Sequence, residues 1–415
     1  MCSEFGTDSA TVNVFVARQP IFDRDQTVHA YELLFRSGLQ NYYDSLEPDK
    51  ATVDVISNSF FIIGFDQLTD GKRGFINFTR DLLLKGVPLL VPPEVVTIEI
   101  MEDIKPDEHV LGTCRELKQL GYKLAMDDFV LDHRGSPLIE HADIVKVDFL
   151  GTEPEDRRRI CEELTDRGVE VLAEKVETVD DFQQALDWGY SLFQGYFFSK
   201  PVIQTGKHIS GNKLAYLQVL NEINQPGISY DDLEAAIKQD VSLTYKLMRF
   251  MNSAWFGLRY EVVSIKHALV LLGPKEIRKW FALVGLSHIA SEKPQELILR
   301  AIARAKAAEL LGPNVGMGEY CSELFLMGMF SLIDALTDSP MSEVLERLPL
   351  KIDVKKALLG EMCPFRTVHD TIVSYERGEW DVFSQSADHL RLDENVMPGL
   401  YRQSLRWAND AFAIL

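Results

Sequence analysis

The sequence lacks most of the features that mark secreted, membrane-spanning or zinc-binding proteins. Its five cysteines are scattered over 415 residues without any Cys-x-x-Cys pair, so neither a disulfide framework nor a zinc site is expected. The longest apolar runs, such as 60–65 and 268–272, are far too short to span a bilayer. No basic region leads into an apolar stretch at the start, which argues against a signal peptide. These absences predict a cytoplasmic protein with reduced thiols and no membrane partner.

The chain is also short of positive charge, with 43 Lys and Arg residues against 63 Asp and Glu residues and a formal net charge of -20. Non-specific binding to nucleic-acid phosphates requires an excess of basic residues, so direct nucleic-acid binding is not expected. Apolar residues make up 46% of the chain, which is typical of globular proteins. A chain of this length is too long for one ordinary compact domain, and we expect two or three domains.

The pattern of the chain changes near residue 201. Before that point short β-branched runs alternate with helical stretches, which predicts a mostly parallel sheet. The predicted strands are 28–35, 74–78, 95–100, 123–128, 144–149, 169–173 and 191–196. So many repeats favour a closed α/β barrel of the TIM type. An open doubly wound sheet is the alternative, but no Gly-x-Gly-x-x-Gly motif follows the first strand.

After residue 201 the strand signals fade, and apolar residues recur at the three- and four-residue spacing of helices. The predicted helices are 213–224, 230–238, 243–251, 265–272, 276–287, 294–311 and 342–347. A segment with Pro, Gly and polar residues separates the two patterns. We therefore divide the chain into an N-terminal tail (1–12), a barrel (13–203), a linker (204–207) and an all-α domain (208–415).

Acidic or amide residues stand at the ends of successive predicted strands: Glu32, Asn77, Glu99, Asp127 with Asp128, and Glu174. In a β/α barrel these ends converge on one mouth, and oxygen ligands gathered there suit Mg²⁺ or Mn²⁺. Adjacent carboxylates can serve two metals that stabilise both oxygens of a phosphodiester displacement, with Asp127 bridging both. Lys146, on the next strand, is suited to orient a hydroxide. Any one of these residues is more typical of a solvated loop or helix cap; their joint order favours a site.

Eight short motifs follow one another over nearly the whole first half: Gln19-Pro20-Ile21, Glu32-Leu33-Leu34-Phe35-Arg36, Phe75-Ile76-Asn77, Glu99-Ile100-Met101-Glu102, Met126-Asp127-Asp128-Phe129, Ile144–Asp148, Ala173–Thr178, and Gln194-Gly195-Tyr196 with Lys200-Pro201. In kind and order they resemble the EAL family of cyclic-di-GMP phosphodiesterases. The resemblance implies a TIM-like EAL barrel that hydrolyses cyclic di-GMP to linear pGpG.

The resemblance also implies a role for each matched residue. The metal ligands of a two-metal Mg²⁺ or Mn²⁺ site would be Glu32, Asn77, Glu99, Asp127 and Asp128. The residues that position or deprotonate the attacking water would be Lys146 and Glu174, supported by Gln194. Gln19 and Arg36 would contact the dinucleotide, since the planar arginine fork binds phosphate in bidentate fashion. Glu102 and Glu177 lie in matched motifs as supporting residues.

Three departures from the family pattern indicate that this chain retains ligand binding better than catalytic activity. Leu33 replaces the alanine of the signature, and the segment 130–138 lacks the glycines of the family loop that helps to hold metals and to dimerise the barrel. Lys175 replaces a glycine, and a cation beside Glu174 would weaken that carboxylate as a base. We expect metal and cyclic-di-GMP binding with weak or lost hydrolysis, and a homodimer is compatible with the sequence. A fully active phosphodiesterase and a nucleotide-independent scaffold are the alternatives.

The second half carries motifs of a different family: Gln239–Leu243, Met251–Gly257, Ser264–Ala268 and Leu271–Gly273. They resemble the HDOD family, which is related to HD-type metal phosphohydrolases. Ser331 and Leu332 occupy the place of the His-Asp pair, so the resemblance implies a non-catalytic output domain that contacts another signalling protein. Asn252 and Trp255 are interpreted first as helix-end packing. The whole chain therefore resembles bacterial EAL–HDOD signalling proteins.

Overall fold

The computed structural model describes residues 14–37, 65–127, 129, 136–197, 230–238, 241–252, 262–289, 293–348 and 350–413. The predicted tail, the linker 204–207, the helix 213–224, Asp128 and Trp255 lie outside these residues, as does the side chain of Arg36. The domain boundaries therefore stay predictions. The cysteines among the described residues, Cys114, Cys161, Cys321 and Cys363, are free thiols. No helix in the described ranges combines the length and apolar character needed to cross a membrane.

Eight strands close a barrel in chain order, and this closure confirms the predicted fold class over the open sheet. The strands are β1 (Val14–Phe22), β2 (Val28–Ser37), β3 (Arg73–Phe78), β4 (Val96–Ile100), β5 (Lys123–Met126), β6 (Ile144–Asp148), β7 (Glu170–Val176) and β8 (Leu192–Gly195). Strand β1 is antiparallel to both β2 and β8, and the other neighbours are parallel. The first strand, β1, was not among the predicted ones.

Helices cover the outside of the barrel, and apolar side chains fill its interior below the mouth. The helices are α1 (Phe65–Thr69), α2 (Arg80–Leu84), α3 (Glu108–Gln119), α4 (Pro154–Thr165) and α5 (Val179–Trp188). The side chains of Asp107 and Thr178 cap the starts of α3 and α5 by accepting backbone N–H groups. The interior cluster contains Ile21, Ala30, Phe75, Ala125, Ile144, Leu172 and Leu192. The barrel is therefore a packed core, and its polar chemistry is confined to one end.

The described part of the second half is helical, as predicted. Its helices are α6 (Tyr230–Lys238), α7 (Val241–Met251), α8 (Ile265–Ile289), α9 (Gln295–Leu311), α10 (Cys321–Met329), α11 (Ile333–Thr337), α12 (Met341–Arg347), α13 (Ile352–Leu358), α14 (Pro364–Arg377), α15 (Trp380–Leu390) and α16 (Met397–Phe412). Gly273, with a φ of 71°, interrupts α8 just before Pro274, so the two helices predicted on either side are distinct segments.

The β1–β2 ribbon packs against the helical half. The ring of Phe15 on β1 lies 6.3–6.5 Å from those of Tyr375, Trp380 and Phe383 on α14 and α15. On β2, the Tyr31 hydroxyl donates to Glu296 of α9 at 2.9 Å. One hydrophobic cluster runs through both halves. The two halves therefore share a packed interface in this structure.

A buried set of charges lies at this interface; we call it the interface cluster, and it consists of Glu296, Arg300 and Arg304 of α9 and Glu376 of α14. The Arg304 guanidinium donates two hydrogen bonds of 2.8 Å to the Glu376 carboxylate. Arg300 lies 3.4 Å from Glu376 and 3.7 Å from Glu296. Two cations thus face two anions, which is the balance that buried ions need.

Candidate active site

Four carboxylates from four strands surround the ammonium of Lys146 on β6, which is fully buried. The distances from Lys146 Nζ are 2.9 Å to Asp127 Oδ1, 3.0 Å to Glu99 Oε1, 3.4 Å to Glu32 Oε2 and 3.9 Å to Glu174 Oε1. We call these five residues the mouth cluster. The barrel thus brings together side chains that are up to 142 positions apart in the sequence, namely Glu32 and Glu174.

Three amide side chains fix the mouth cluster on the β1–β2 side. Gln194 Nε2 donates to Glu32 Oε2 at 2.6 Å and to Gln19 Oε1 at 3.1 Å. Asn77 Nδ2 donates to the other oxygen of Glu32 at 3.2 Å. The strand register explains the grouping, since Gln19 pairs with Glu32 and Asn77 pairs with Glu99 across neighbouring strands. The structure brings each of these side chains to the same mouth.

A β-bulge between β7 and β8 aims Glu174 into the mouth. Ala173 pairs with Phe193 and Val176 with Gly195, so Glu174 and Lys175 together oppose one residue of β8. Such bulges bend a strand and redirect its side chains. Gly195 is required here, because a Cβ at this position would lie 2.1 Å from the carbonyl oxygen of Val176. The glycine of the Gln-Gly-Tyr motif therefore allows the close approach of the two strands.

The mouth cluster has more negative than positive charge, and its pKa values reflect that imbalance. Burial, and then the neighbouring Glu32, hold the pKa of Glu99 well above its usual range. Burial raises the pKa of Glu174 to about 7, although Lys146 opposes the shift. Burial alone would lower the pKa of Lys146, but the carboxylates around it raise that pKa well above its ordinary value. Lys146 is therefore a permanent cation, and Glu174 is suited to exchange a proton near neutral pH.

The donor chemistry of the mouth fits a divalent cation. Asn77 Oδ1, Glu99 Oε2 and Glu174 Oε2 are buried and have no hydrogen-bond partner in the described part of the chain. Buried polar atoms are nearly always paired, so such oxygens indicate a missing partner. Carboxylate and amide oxygens are the ligands that Mg²⁺ and Mn²⁺ prefer. Within the described ranges no three or more Asp, Glu, His or Cys side chains are already grouped so that they could hold a metal ion by themselves.

Several predicted site residues are not placed in the mouth cluster. Asp128 and most of the segment 130–138 lie outside the described residues, and only the backbone of Arg36 is described, in β2 opposite Phe15. Glu102 is exposed just after β4, and Glu177 is half-buried after β7. Their predicted roles, and those of the ligands as a set, stay predictions.

Lys175 follows Glu174 at the bulge and has an unusual backbone conformation. Its φ of 55° is the left-handed conformation that favours glycine, so the lysine holds this backbone at some strain. Its ammonium is bonded to Asp148 Oδ2 at 2.8 Å. Lys175 lowers the pKa of Glu174 less than Lys146 does, and burial outweighs both. Lys175 therefore favours the ionised form of Glu174, as expected, but burial outweighs this effect and leaves the pKa of Glu174 at about 7.

Sequence reasoning missed one neighbour of the site, the C-terminal end of α14. Gln19 Nε2 donates to the backbone carbonyl of Arg377 at 3.0 Å, a contact across 358 positions of the chain. The Arg377 guanidinium lies over the ring of Tyr196, 4.5 Å from its centroid. No local motif marks such a contact, since it depends on how the two halves pack.

Two polar residues of the helical half, Ser331 and Asn252, make local hydrogen bonds of a structural kind. Ser331 donates to the carbonyl of Gly328 at 2.8 Å, as a local helix-end bond. Asn252 makes two hydrogen bonds, of 2.7 and 2.9 Å, with the backbone of Val262. Those bonds support the interpretation of Asn252 as a packing and capping residue.

Together, a TIM-like barrel with a carboxylate–lysine mouth and an attached helical half define a two-domain protein of the EAL–HDOD class. An EAL domain model matches residues 63–201, and an HDOD domain model matches residues 214–353. The uncharacterized protein YuxH of Bacillus subtilis (strain 168) is 38% identical over 407 residues, covering 96% of this chain and 99% of YuxH.

Cyclic di-GMP phosphodiesterase CdgJ of Vibrio cholerae is 35% identical over 403 residues, covering 95% of this chain and 92% of CdgJ. Among solved structures, an EAL domain protein from Listeria monocytogenes EGD-e aligns with 24% identity and a TM-score of 0.38, over 45% of this chain and 87% of that one. The chain belongs to the family of bacterial signalling proteins that combine an EAL domain with an HDOD domain.

Proposed function

We propose that the barrel mouth binds divalent metal and cyclic di-GMP and hydrolyses the dinucleotide to pGpG at a low rate. The observation that carries this proposal is the mouth cluster itself, in which one buried lysine stands among four carboxylates. Its excess negative charge is suited to cations and is costly without them. The similarity to CdgJ, named as a cyclic di-GMP phosphodiesterase, supports the same substrate.

In this proposal each residue has a chemical task. The residues that would hold two Mg²⁺ or Mn²⁺ ions are Glu32, Asn77, Glu99, Asp127 and Asp128. Bound metal would lower the pKa of a water and stabilise the attacking and leaving oxygens. Glu174 would accept a proton from the attacking water, and the Lys146 ammonium would orient that water. Gln194 holds Glu32 in place, while Gln19 and Arg36 bind the dinucleotide.

The low rate is proposed from the segment 130–138, which follows the paired aspartates without the family glycines. A reacting water must be aligned as well as activated, and a misplacement of about 1 Å can lower a rate by on the order of a hundredfold. Full activity is the second candidate. It is favoured by the pKa of Glu174, which burial raises to about 7 although Lys175 lowers it.

The helical half is proposed to be a non-catalytic output domain that contacts a signalling protein in the cytoplasm. Its support is the replacement of the His-Asp pair by Ser331 and Leu332. A scaffold that needs no nucleotide is the remaining alternative. A scaffold role would not explain the excess negative charge of the mouth.

Metal binding is tested by calorimetry with Mn²⁺ on the full chain. Asp127→Ala should weaken Mn²⁺ binding most among the ligand variants, because in the proposed two-metal site this carboxylate would serve both ions. Glu116→Ala, on the exposed face of α3, removes one charge away from the mouth and is the matched control. Equal Mn²⁺ affinity in the wild type and Asp127→Ala would contradict the metal site.

Hydrolysis is tested by following pGpG by chromatography with Mg²⁺ or Mn²⁺ and cyclic di-GMP. The wild type should bind the dinucleotide in Ca²⁺, used here to hold back turnover, and should release pGpG more slowly than about 1 per second. Faster release would support the second candidate. Absence of binding would contradict the proposal in both forms and favour the scaffold.

A further inference from the structure

The C-terminal end of α14, in the helical half, contacts the barrel at the rim of the mouth. It meets three barrel segments: Gln19 on β1, Leu34 on β2 and Tyr196 just after β8. Gln19 donates to the Arg377 carbonyl at 3.0 Å, and the Arg377 guanidinium covers Tyr196. Gly378 abuts Leu34 so closely that a Cβ on the glycine would lie 2.7 Å from Leu34 Cδ1.

These contacts fall on the face of the β1–β2 ribbon that carries the site. Side chains alternate along a strand, so Leu34 lies on the same face as Glu32, two residues before it. In the register, Gln19 pairs with Glu32, and Ala17 pairs with Leu34. The end of α14 therefore touches the ribbon directly beside Glu32, on the C-terminal side of that residue along β2.

The contact determines how the Gln19 amide is oriented. Its oxygen accepts from Gln194 Nε2 at 3.1 Å, and its nitrogen donates to the Arg377 carbonyl at 3.0 Å. These two hydrogen bonds fix the orientation of the Gln19 amide. They leave one N–H of its nitrogen and one lone pair of its oxygen available to a ligand. Without the Arg377 carbonyl, only Gln194 would hold the side chain.

We propose that the end of α14 is a positioning element for Gln19, through which the helical half sets the affinity of the barrel for its dinucleotide. This inference rests on the proposed function, because Gln19 matters only if the mouth binds cyclic di-GMP. Gly378 allows the end of α14 to approach the barrel. Its φ of 70° ends the helix, and its lack of a Cβ leaves room for the side chain of Leu34.

The test is the affinity for cyclic di-GMP in Ca²⁺, measured by calorimetry on the full chain. Gly378→Ala should weaken binding about tenfold, the size expected when one hydrogen bond to a ligand is lost. Gly360→Ala is the matched control. Gly360 follows α13 with a φ of 86°, and its nearest atom is the flexible end of Arg366 at 3.6 Å. This control carries the same backbone strain without touching the barrel, and its affinity should stay within twofold of the wild type.

A double-mutant cycle separates positioning from general damage. Gln19→Ala should weaken binding by itself, and adding Gly378→Ala to it should cause no further loss, since no amide remains to be positioned. An equal loss in both backgrounds, or a Gly378→Ala affinity equal to that of the control, overturns the inference. Absence of binding by the wild type overturns the proposed function, and the inference falls with it.

Hydrogen exchange on the wild type gives a test that needs no variant. Because coupling between two sites is reciprocal, cyclic di-GMP in Ca²⁺ should slow exchange of the backbone amides of 377–379 at least threefold. The corresponding turn after α13, residues 359–361, should not change. Equal exchange of 377–379 with and without the dinucleotide contradicts the inference even if Gly378→Ala does not fold.

Discussion

The protein contains two buried clusters of charge that differ in their balance. The mouth cluster has one cation and four carboxylates, and buried oxygens of Asn77, Glu99, Glu174 and Gln194 at the mouth have no hydrogen-bond partner within the described residues. The interface cluster has two arginines and two glutamates, joined by a bidentate pair of 2.8 Å bonds. The same residue types thus form an unbalanced group in one place and a balanced group in the other.

The pKa values of one glutamate from each cluster express this difference. Burial raises the pKa of Glu174 to about 7 in the mouth. At the interface burial acts in the same direction, but Arg304 and Arg300 outweigh it and lower the pKa of Glu376 to about 2. Burial alone therefore does not identify a functional acid. The informative feature is a buried acid whose charge its protein neighbours leave uncompensated.

The largest effect on stability is expected at Gly195, where the missing side chain lets β7 and β8 approach each other at the mouth. Gly195→Ala would place a Cβ 2.1 Å from the Val176 carbonyl oxygen, at a φ of 149°. We expect a destabilisation above about 5 kcal/mol or no folded protein, measured by urea unfolding. Gly168→Ala, where the Cβ would meet nothing within 4 Å at a φ of 77°, should lose only about 1 kcal/mol. Similar stability of the two variants would contradict the role given to Gly195.

Breaking the balanced cluster should have the next largest effect. Glu376→Gln leaves Arg304 buried without its anion, and we expect a loss of about 3–5 kcal/mol of unfolding free energy. Glu361→Gln, an exposed acid after α13, is the control and should stay within about 0.5 kcal/mol of the wild type. An equally small loss in Glu376→Gln would show that the interface cluster contributes little to stability.

The same cluster predicts a pH dependence. The pKa of Glu376 falls from an ordinary 4.5 to about 2 in the folded protein, so its ionised form favours folding. That contribution, about 3 kcal/mol, is complete above about pH 4.5 and is lost as the pH falls towards 2. The difference in unfolding free energy between the wild type and Glu376→Gln should therefore shrink over this range. A difference that is independent of pH there would contradict the ion pair.

The smallest effect is expected at Lys175. Lys175→Gly relieves the left-handed strain of a φ of 55° but removes the contact with Asp148. We expect the unfolding free energy to change by less than about 1 kcal/mol. The rate of pGpG release should stay within about threefold, because burial outweighs the effect of Lys175 on the pKa of Glu174. A rise of a hundredfold in the rate would show that Lys175 limits catalysis.

The sequence predicts the barrel well where a strand is both apolar and regular. Strands such as β4 and β6 are short, mostly buried apolar runs that each contain one charged site residue, Glu99 or Lys146, so pattern and chemistry agree there. Strand β1 was missed because Arg18, Gln19 and Pro20 interrupt its apolar pattern, and proline argues against a central strand. Pro20 is tolerated because β1 pairs with β8 only through Ile21 and Phe22.

The sequence predicts which residues form the site but not how their side chains are arranged. Motif order alone grouped Glu32, Glu99 and Asp127, whereas the bulge that aims Glu174 depends on a backbone angle at Lys175. The sequence does not predict the contact of Gln19 with α14, since helices α13–α16 carry no pattern that was recognised and α14 meets β1 only in the tertiary structure.

The proposed function depends most on the excess negative charge of the mouth cluster, which is suited to binding a cation and its substrate. The most direct measurement is the unfolding free energy of Glu174→Gln beside that of Glu376→Gln, in urea without divalent cations. Removing an acid from the mouth should raise stability by about 1 kcal/mol, as expected at a site kept for function, while the same exchange at the interface lowers it. Equal destabilisation by both exchanges would contradict the account, because the mouth would then be a structural ion cluster like the other.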